Sequence, residues 1–245
     1  MPLTLVCFDF WQTLLSDTPE SAAAAHALRL SGVAEALRCA AFWYAAAALE
    51  TADVRALARL KEIWGANRDV TPAEQVRVFL EALDPELPSA LAADARGEVE
   101  LAYATPVLTH TPLVAPGAVE AVRVLAARGL TLAIISNTGR TPGTVLRRLL
   151  AGAGVLDAFR VLSFSDEVGL RKPDAGIFRR TLAEAGCAPE AALHVGDDPV
   201  SDVAGARGAG LRAVHYVDDG RPPSAEADAA VRHLGELPAV LARLG

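Results

Sequence analysis

The sequence predicts an α/β protein, a parallel sheet covered on both faces by helices, with an all-helical insertion after its first strand. Three observations carry that prediction. Leu5-Val6-Cys7-Phe8 is an unbroken apolar run leading straight into Asp9, as in strands buried on both faces of a parallel sheet. From Leu113 onward, strand-length apolar runs alternate with amphipathic stretches, which is the spacing of βαβ units with right-handed crossovers. Between these regions, Ser16 to Pro112 is rich in Ala, Leu, Arg and Glu and shows no strand pattern.

The elements follow in order. The first strand opens at Leu3 and ends at Asp9. In the insertion, breaks at Gly32, Gly65, Thr71-Pro72 and Asp84-Pro85 predict four helices packed as a small bundle over the sheet edge. Its hinges are placed at Leu15 to Pro19 and Leu108 to Gly117, both rich in turn residues. Pro116 to Arg128 reads as a helix closed by Gly129, with Pro and Gly where helix ends favour them. Leu130 to Ile135 reads as a strand ending in Ser136-Asn137, and Thr141 is expected to cap a helix reaching Ala151. Arg160 to Phe164 is a strand ending at Ser165-Asp166, and Asp174 caps a helix that Gly186 stops. Ala192 to Val195 is a strand ending at Gly196-Asp197, followed by a helix over Val200 to Ala209 and a last strand over Leu211 to Val217. Residues 218–229 read as a polar loop and Leu234 to Leu244 as a final helix. The expected division is therefore a core of residues 1–16 and 113–245 and a helical cap of residues 17–112.

Composition narrows the function classes. A net charge of −7, with no basic cluster, argues against a nucleic-acid or anionic-membrane partner. The longest uncharged apolar run, Cys39 to Leu49, is about half the roughly 20 residues a membrane span needs. A strand beginning at Leu3 leaves no room for a leader peptide, and Cys7, Cys39 and Cys187 suit neither a disulfide framework nor a zinc site. Together these predict a cytoplasmic protein. Of the 23 basic residues only Lys61 and Lys172 are lysines, so each is a candidate for a place that needs a compact ammonium.

Polar residues gather at the predicted strand ends: Asp9 with Thr13, Ser136 with Asn137, Lys172 after the third strand, and Asp197, Asp198 and Asp202 after the fourth. In a parallel sheet all of them project from one edge, where ligands bind. A carboxylate nucleophile needs an electrophile held in line and compensation for the charge it transfers. Asp9 and Asp197 offer oxygen ligands to a hard cation such as Mg²⁺, whereas Ser136, the Asn137 backbone N–H and Lys172 offer donors to phosphate oxygens. Asp198 precedes Pro199, an N-cap arrangement, which leaves Asp197 for metal and Asp202 behind it. Asp166 and Glu167 suit backbone contacts as well as metal, and Asp17, in the flap after the first strand, is a candidate to supply an acid–base group. Phe42-Trp43-Tyr44 reads as a helical aromatic patch of the insertion. Arg38 and His26 are candidates there to meet a substrate anion, while His110, His194, His215 and His233 lack metal-ligand spacing and read as bystanders.

The four segments, Phe8-Asp9-Phe10-Trp11-Gln12-Thr13-Leu14, Ile134-Ile135-Ser136-Asn137-Thr138, Gly169-Leu170-Arg171-Lys172-Pro173-Asp174 and Val195-Gly196-Asp197-Asp198-Pro199-Val200-Ser201-Asp202, resemble in order the motifs of the haloacid dehalogenase-like superfamily of hydrolases. The resemblance covers the Rossmann-like core, and a helical cap after the first motif is also a family habit. It implies that Asp9 attacks the substrate, that Asp9, the carbonyl of Trp11 and Asp197 hold Mg²⁺ with Asp202 nearby, and that Thr13, Ser136, Asn137 and Lys172 bind a phosphoryl group. It implies a small phosphorylated metabolite as substrate. The chain departs from the family's phosphatases at one place: where they carry a second Asp as general acid and base stands Trp11, and Gln12 replaces the glycine that follows. An indole N–H does not titrate. The 2-haloacid dehalogenases of the superfamily carry Tyr there and use no metal, but have Ser and Asn where this chain has Asp197 and its neighbours. The sequence therefore favours a Mg²⁺-dependent phosphohydrolase with an altered proton relay, with a dehalogenase or a non-catalytic phosphometabolite-binding relative as alternatives.

Overall fold

The computed structural model describes residues 2–217 and 220–244. Six parallel strands form the main sheet: β1 (Leu5–Phe8), β4 (Thr131–Ser136), β5 (Val161–Phe164), β6 (Ala192–Gly196), β7 (Arg212–Tyr216) and β8 (Ala229–Val231). Their order is β5-β4-β1-β6-β7-β8, so β1 lies at the centre with β4 and β6 on either side. Strand order reverses beside β1, and crevices for ligands open at such switch points.

Side-chain alternation explains why β1 is continuously apolar. Val6 and Phe8 enter a core on one face of the sheet, with Leu132 and Ile134 of β4. Leu5 and Cys7 enter the core on the other face, with Ala133 and Ile135. The first core is closed by α6 (Ala118–Ala127), α7 (Gly143–Gly152) and α11 (Leu237–Leu244). The second is closed by α9 (Ala175–Ala185) and α10 (Gly205–Gly208).

The insertion lies between two short strands, β2 (Leu15–Ser16) and β3 (Leu113–Val114), and comprises α1 (Pro19–Cys39), α2 (Ala46–Gly65), α3 (Pro72–Leu83), α4 (Leu87–Ala90) and α5 (Ala93–Ala104). These helices bury a cluster of their own around Leu37, Leu60, Phe79, Leu80 and Tyr103. Five helices stand where the breaks predicted four, and α1 runs unbroken through Gly32. A Cβ on Gly32 would lie 3.3 Å from Ala102, so this glycine permits the approach of α5 rather than ending a helix. Phe42-Trp43-Tyr44 lies in the loop between α1 and α2, not on a helix.

Other expectations are corrected at element ends. The two hinge segments pair with each other as the antiparallel ribbon β2–β3, too short to show periodicity. A short helix, α8 (Ser165–Val168), follows β5 directly. Thr141 does not cap α7: Pro142 occupies the N-cap position, and the Gly143 N–H donates to Asp166 at 3.1 Å. Val200 to Ala209 is a wide π turn, Pro199–Ala204, running into α10. The expected loop of residues 218–229 ends in β8; Asp218 and Asp219 lie outside the described residues. The final helix begins as a 3₁₀ turn, Leu234–Glu236, before α11.

Candidate active site

The carboxyl edge of the sheet brings Asp9, Thr13, Ser136, Lys172, Asp197 and Asp202 together. The Asp9 carboxylate is buried, and the Lys172 ammonium donates to its Oδ1 at 2.6 Å and to Asp202 Oδ1 at 2.6 Å. Thr13 Oγ1 lies 3.5 Å from Asp9 Oδ2. Oxygens of Asp9, Asp197 and Asp202 all fall within 4.8 Å of one another. Ser136 Oγ is fully buried and makes no hydrogen bond among the described residues. Trp11 is half-buried, its indole edge-on to Phe10 at 5.0 Å between centroids.

Each of these positions has a local cause. Asp9 is held by its backbone N–H, which donates to Val195 O at 2.8 Å and extends the β1–β6 pairing. Thr13 lies in a tight turn in which Leu14 and Leu15 N–H both reach Phe10 O. Gln12 takes φ +58° in that turn, a left-handed conformation that favours glycine. Lys172 is fixed through its backbone by the Asn137 side chain, which accepts from Lys172 N–H at 2.9 Å and donates to Lys172 O at 3.0 Å. The Asn137 amide is thus committed to holding Lys172, so any contact of Asn137 with a ligand falls to its backbone. Asp198 caps the following turn through the N–H groups of Val200 and Ser201.

Asp202 is the most heavily partnered acid. Besides Lys172 it meets His194 Nε2 at 2.8 Å on Oδ1 and the Asp198 N–H at 3.0 Å on Oδ2. His194 is therefore no bystander: it projects from β6 with its ring against Phe178 and donates to Asp202. A polar residue inside an otherwise apolar buried strand was its signal. His215 also has a task, its Nε2 donating to the Asp197 carbonyl at 2.8 Å while its Nδ1 accepts from Ser224 N–H. His233 caps the 3₁₀ turn by accepting from the Gly235 N–H.

The electrostatics follow from three crowded carboxylates and one ammonium that pairs with two of them. Burial pushes Asp9 up to about 7, with Lys172 opposing and Asp202 adding. Burial and Asp202 raise Asp197 to about 6. Asp202 is held well below the ordinary range: burial works against it, but Lys172 and His194 prevail. His194 is kept low by burial despite its bond to Asp202.

Other candidates fall elsewhere. Arg38 pairs with Glu35 on the exposed face of α1, and His26 with Glu50. Glu167 is paired to Arg147, and Asp166 holds the start of α7. Asp17 is half-buried near Arg29, burial raising its carboxyl. The buried cap cation is Arg29, which sequence patterning gave no reason to select. Its Nε donates to Tyr103 O at 2.8 Å and its guanidinium lies 5.3 Å from the Tyr103 ring. Tyr103 Oη is buried, with the Arg140 guanidinium beside it. Burial and nearby Arg140 push the Arg29 guanidinium down to about 10. Arg140, four residues past Ser136, is itself paired with Asp53 of α2 at 2.7 Å.

A phosphoserine phosphatase of Thermus thermophilus is 47% identical over 111 residues, covering 45% of this chain and 43% of that protein; the aligned stretch thus spans less than half of the relative's length. A 2-haloacid dehalogenase structure from Pseudomonas syringae pv. Tomato superposes with a TM-score of 0.75 at 26% identity, covering 99% of this chain and 100% of that one. A HAD phosphatase structure from Thermococcus onnurineus gives a TM-score of 0.62 at 25% identity, covering 98% of each chain. The family model for haloacid dehalogenase-like hydrolases matches residues 3–210, a span that contains all four motif segments, and the chain belongs to that family.

Proposed function

We propose that the protein is a Mg²⁺-dependent phosphatase acting on a small phosphorylated metabolite, with a cap of residues 17–112 over a core of residues 1–16 and 113–245. The single observation that carries the reading is the excess of acid at the sheet edge. Three carboxylates crowd within 4.8 Å while one ammonium serves two of them. Like charges so placed raise one another's pKa values, and a divalent cation on oxygen ligands is the ordinary remedy. Asp9, Asp197 and the Trp11 carbonyl would hold the ion, which supplies charge neutralisation for a phosphoryl group. Both oxygens of Asp202 are already occupied by hydrogen bonds, so it serves chiefly to hold Lys172 and His194.

In this reading Asp9 attacks phosphorus as the P–O bond to the leaving group breaks, and an aspartyl-phosphate forms. Lys172, Thr13, Ser136 and the Asn137 N–H neutralise and orient the transferred oxygens. Water then attacks the phosphorus, Asp9 leaves as carboxylate, and orthophosphate is released. Arg29, buried beside Asp17 and the Tyr103 ring, suits a second anionic group on the substrate. Phosphoserine and 2-haloacids, named by the relatives, each carry a carboxylate. The test is phosphate release across a panel of phosphorylated metabolites with and without Mg²⁺. The expected result is metal-dependent release that Asp9→Asn abolishes, with a phosphate trapped on Asp9 by acid quenching.

Trp11 favours a second reading, a 2-haloacid dehalogenase, because halide leaves without a proton and needs no general acid. Chelator-insensitive chloride release would decide for it. The cytoplasm suits either chemistry: Cys7, Cys39 and Cys187 are unpaired, and no described helix is long and apolar enough to cross a membrane.

A further inference from the structure

Lys172 is the group whose position the site most depends on; Asn137 at the end of β4 holds its backbone, and the segment leading into it is held by the insertion. Residues 67–69, in the loop between α2 and α3, run antiparallel to residues 169–171. Arg68 bridges Leu170. Asp69 N–H donates to Gly169 O at 3.2 Å, and Arg171 N–H donates to Asn67 O at 3.0 Å. The Arg171 guanidinium, 4.7 Å from the Trp64 ring, pairs with Asp69 Oδ2 at 2.5 Å.

The same carboxylate reaches the other phosphate-side segment. Ser165 Oγ donates to Asp69 Oδ2 at 2.5 Å and accepts from Thr138 N–H at 2.9 Å, two residues past Ser136. Asp69 Oδ1 accepts from Trp64 Nε1 and Val70 N–H, both at 2.9 Å. The Asp69 side chain is fully buried, as are Ser165 and Thr138. A buried carboxylate with all its acceptor sites used is rigid, and loss of one such charged bond is expensive.

We infer that Asp69 is a positioning residue, through which the insertion sets the places of Lys172 and Ser136 at once by way of Arg171 and of Ser165 with Thr138. It touches neither nucleophile nor substrate; it acts only through those two loops. Opening of residues 67–69 away from the core would release both loops together, so the phosphate-side donors are assembled only while the insertion is seated. The ligand named in the test rests on the phosphohydrolase reading; the structural coupling does not.

The experiment has two arms, on Asp69→Asn and on the milder Ser165→Ala. The first is amide hydrogen exchange of the full chain. Asp69→Asn should speed exchange at Thr138, Arg171 and Lys172 at least about tenfold while leaving β1 amides protected; unchanged protection at those amides overturns the inference whatever the chemistry. Ser165→Ala should speed exchange at Thr138 while sparing Arg171, and equal effects at both would sink the two-branch arrangement. The second arm is titration calorimetry of orthophosphate with Mg²⁺. Asp69→Asn should weaken binding about 10- to 100-fold in the parent and by a clearly smaller factor in a Lys172→Ala background, where only the Ser136 branch remains to be lost. Equal losses in both backgrounds would make Asp69 a mere fastener and overturn the inference. Failure of the unsubstituted protein to bind orthophosphate would count against the phosphatase reading alone, since the exchange arm still decides the coupling.

Discussion

In the proposed phosphatase reading, Trp11 stands where an acid–base group would protonate the leaving oxygen and later activate water, and its indole can do neither. General acid–base help is typically worth about 10²–10⁴ in rate, so its absence should show as a leaving-group dependence. Aryl and acyl phosphates, whose leaving groups depart without a proton, are expected to turn over at least about a hundredfold faster than alkyl phosphates. Parallel kcat/KM measurements check this, and comparable rates on both classes would refute the role given to Trp11. Trp11→Asp should raise the alkyl rate and narrow the gap. Gly196 offers a second residue-scale test. A Cβ there would lie 2.1 Å from Asp202 Cγ, so Gly196→Ala must displace the carboxylate that holds Lys172 and His194. Turnover should fall by two orders of magnitude or more, and thermal unfolding should report a loss of about 1–3 kcal/mol. A Gly196→Ala protein with unaltered kcat would show that Asp202 is free to move. At Gln12, held at φ +58° and exposed, Gly should be tolerated or should stabilise by up to about 1 kcal/mol.

At the level of elements, β1 leads into Asp9, the proposed nucleophile, and contributes to both cores. Phe8 is fully buried and its ring meets Phe159 edge-on at 6.1 Å. Phe8→Ala should cost about 3–5 kcal/mol, read from urea unfolding; a cost under 1 kcal/mol would mean that the core beneath Asp9 collapses to fill the space. Strands of this kind were legible because every residue of β1 and β6, and every residue of β4 after Thr131, is buried, so composition marks them. Elements with weaker local signals were not. The ribbon β2–β3 has two residues per strand, and its pairing is a contact between segments separated by the whole insertion. β8 is short and its flanks are polar, and α8 is a single turn fixed by what Ser165 and Asp166 bond to. The site divides the same way. Asp9, Ser136, Lys172 and Asp197 sit at strand ends or in ordered motifs, where position along the chain forecasts position in space. Asp69 and Arg29 have partners 102 and 74 residues away, and no local pattern encodes such distances. Thr141 misled because Thr before Pro has the chemistry of a cap, while the actual partner of the Gly143 N–H, Asp166, lies 23 residues on.

For the molecule as a whole, excess acid at the sheet edge links stability, pH and cation. Asp9 and Asp197, raised to about 7 and about 6, bind protons in the folded state that the unfolded chain has already released above about pH 4. The folded state therefore holds more protons across that window, and the contribution of these two groups to stability falls as pH rises from 4 to 7. Asp202 has the opposite sign: held below its unfolded value, it stabilises above about pH 4 and loses that contribution in stronger acid. His194, kept neutral by burial, adds stability as pH rises toward its unfolded value, so a plain Tm-against-pH curve mixes opposing trends. In the proposed reading the increment produced by Mg²⁺ separates them, because a cation on Asp9 and Asp197 would displace whatever protons they hold. That increment in Tm is expected to be small at pH 5, to grow steeply between pH 6 and 7, and to level off above pH 7.5. Apparent Mg²⁺ affinity should rise about tenfold per pH unit for each proton displaced. Scanning calorimetry with and without saturating Mg²⁺ at half-unit steps measures it. A Mg²⁺ increment of equal size at pH 5 and pH 8 would mean that neither carboxylate yields a proton to the ion, and the cation would then have to bind away from the nucleophile.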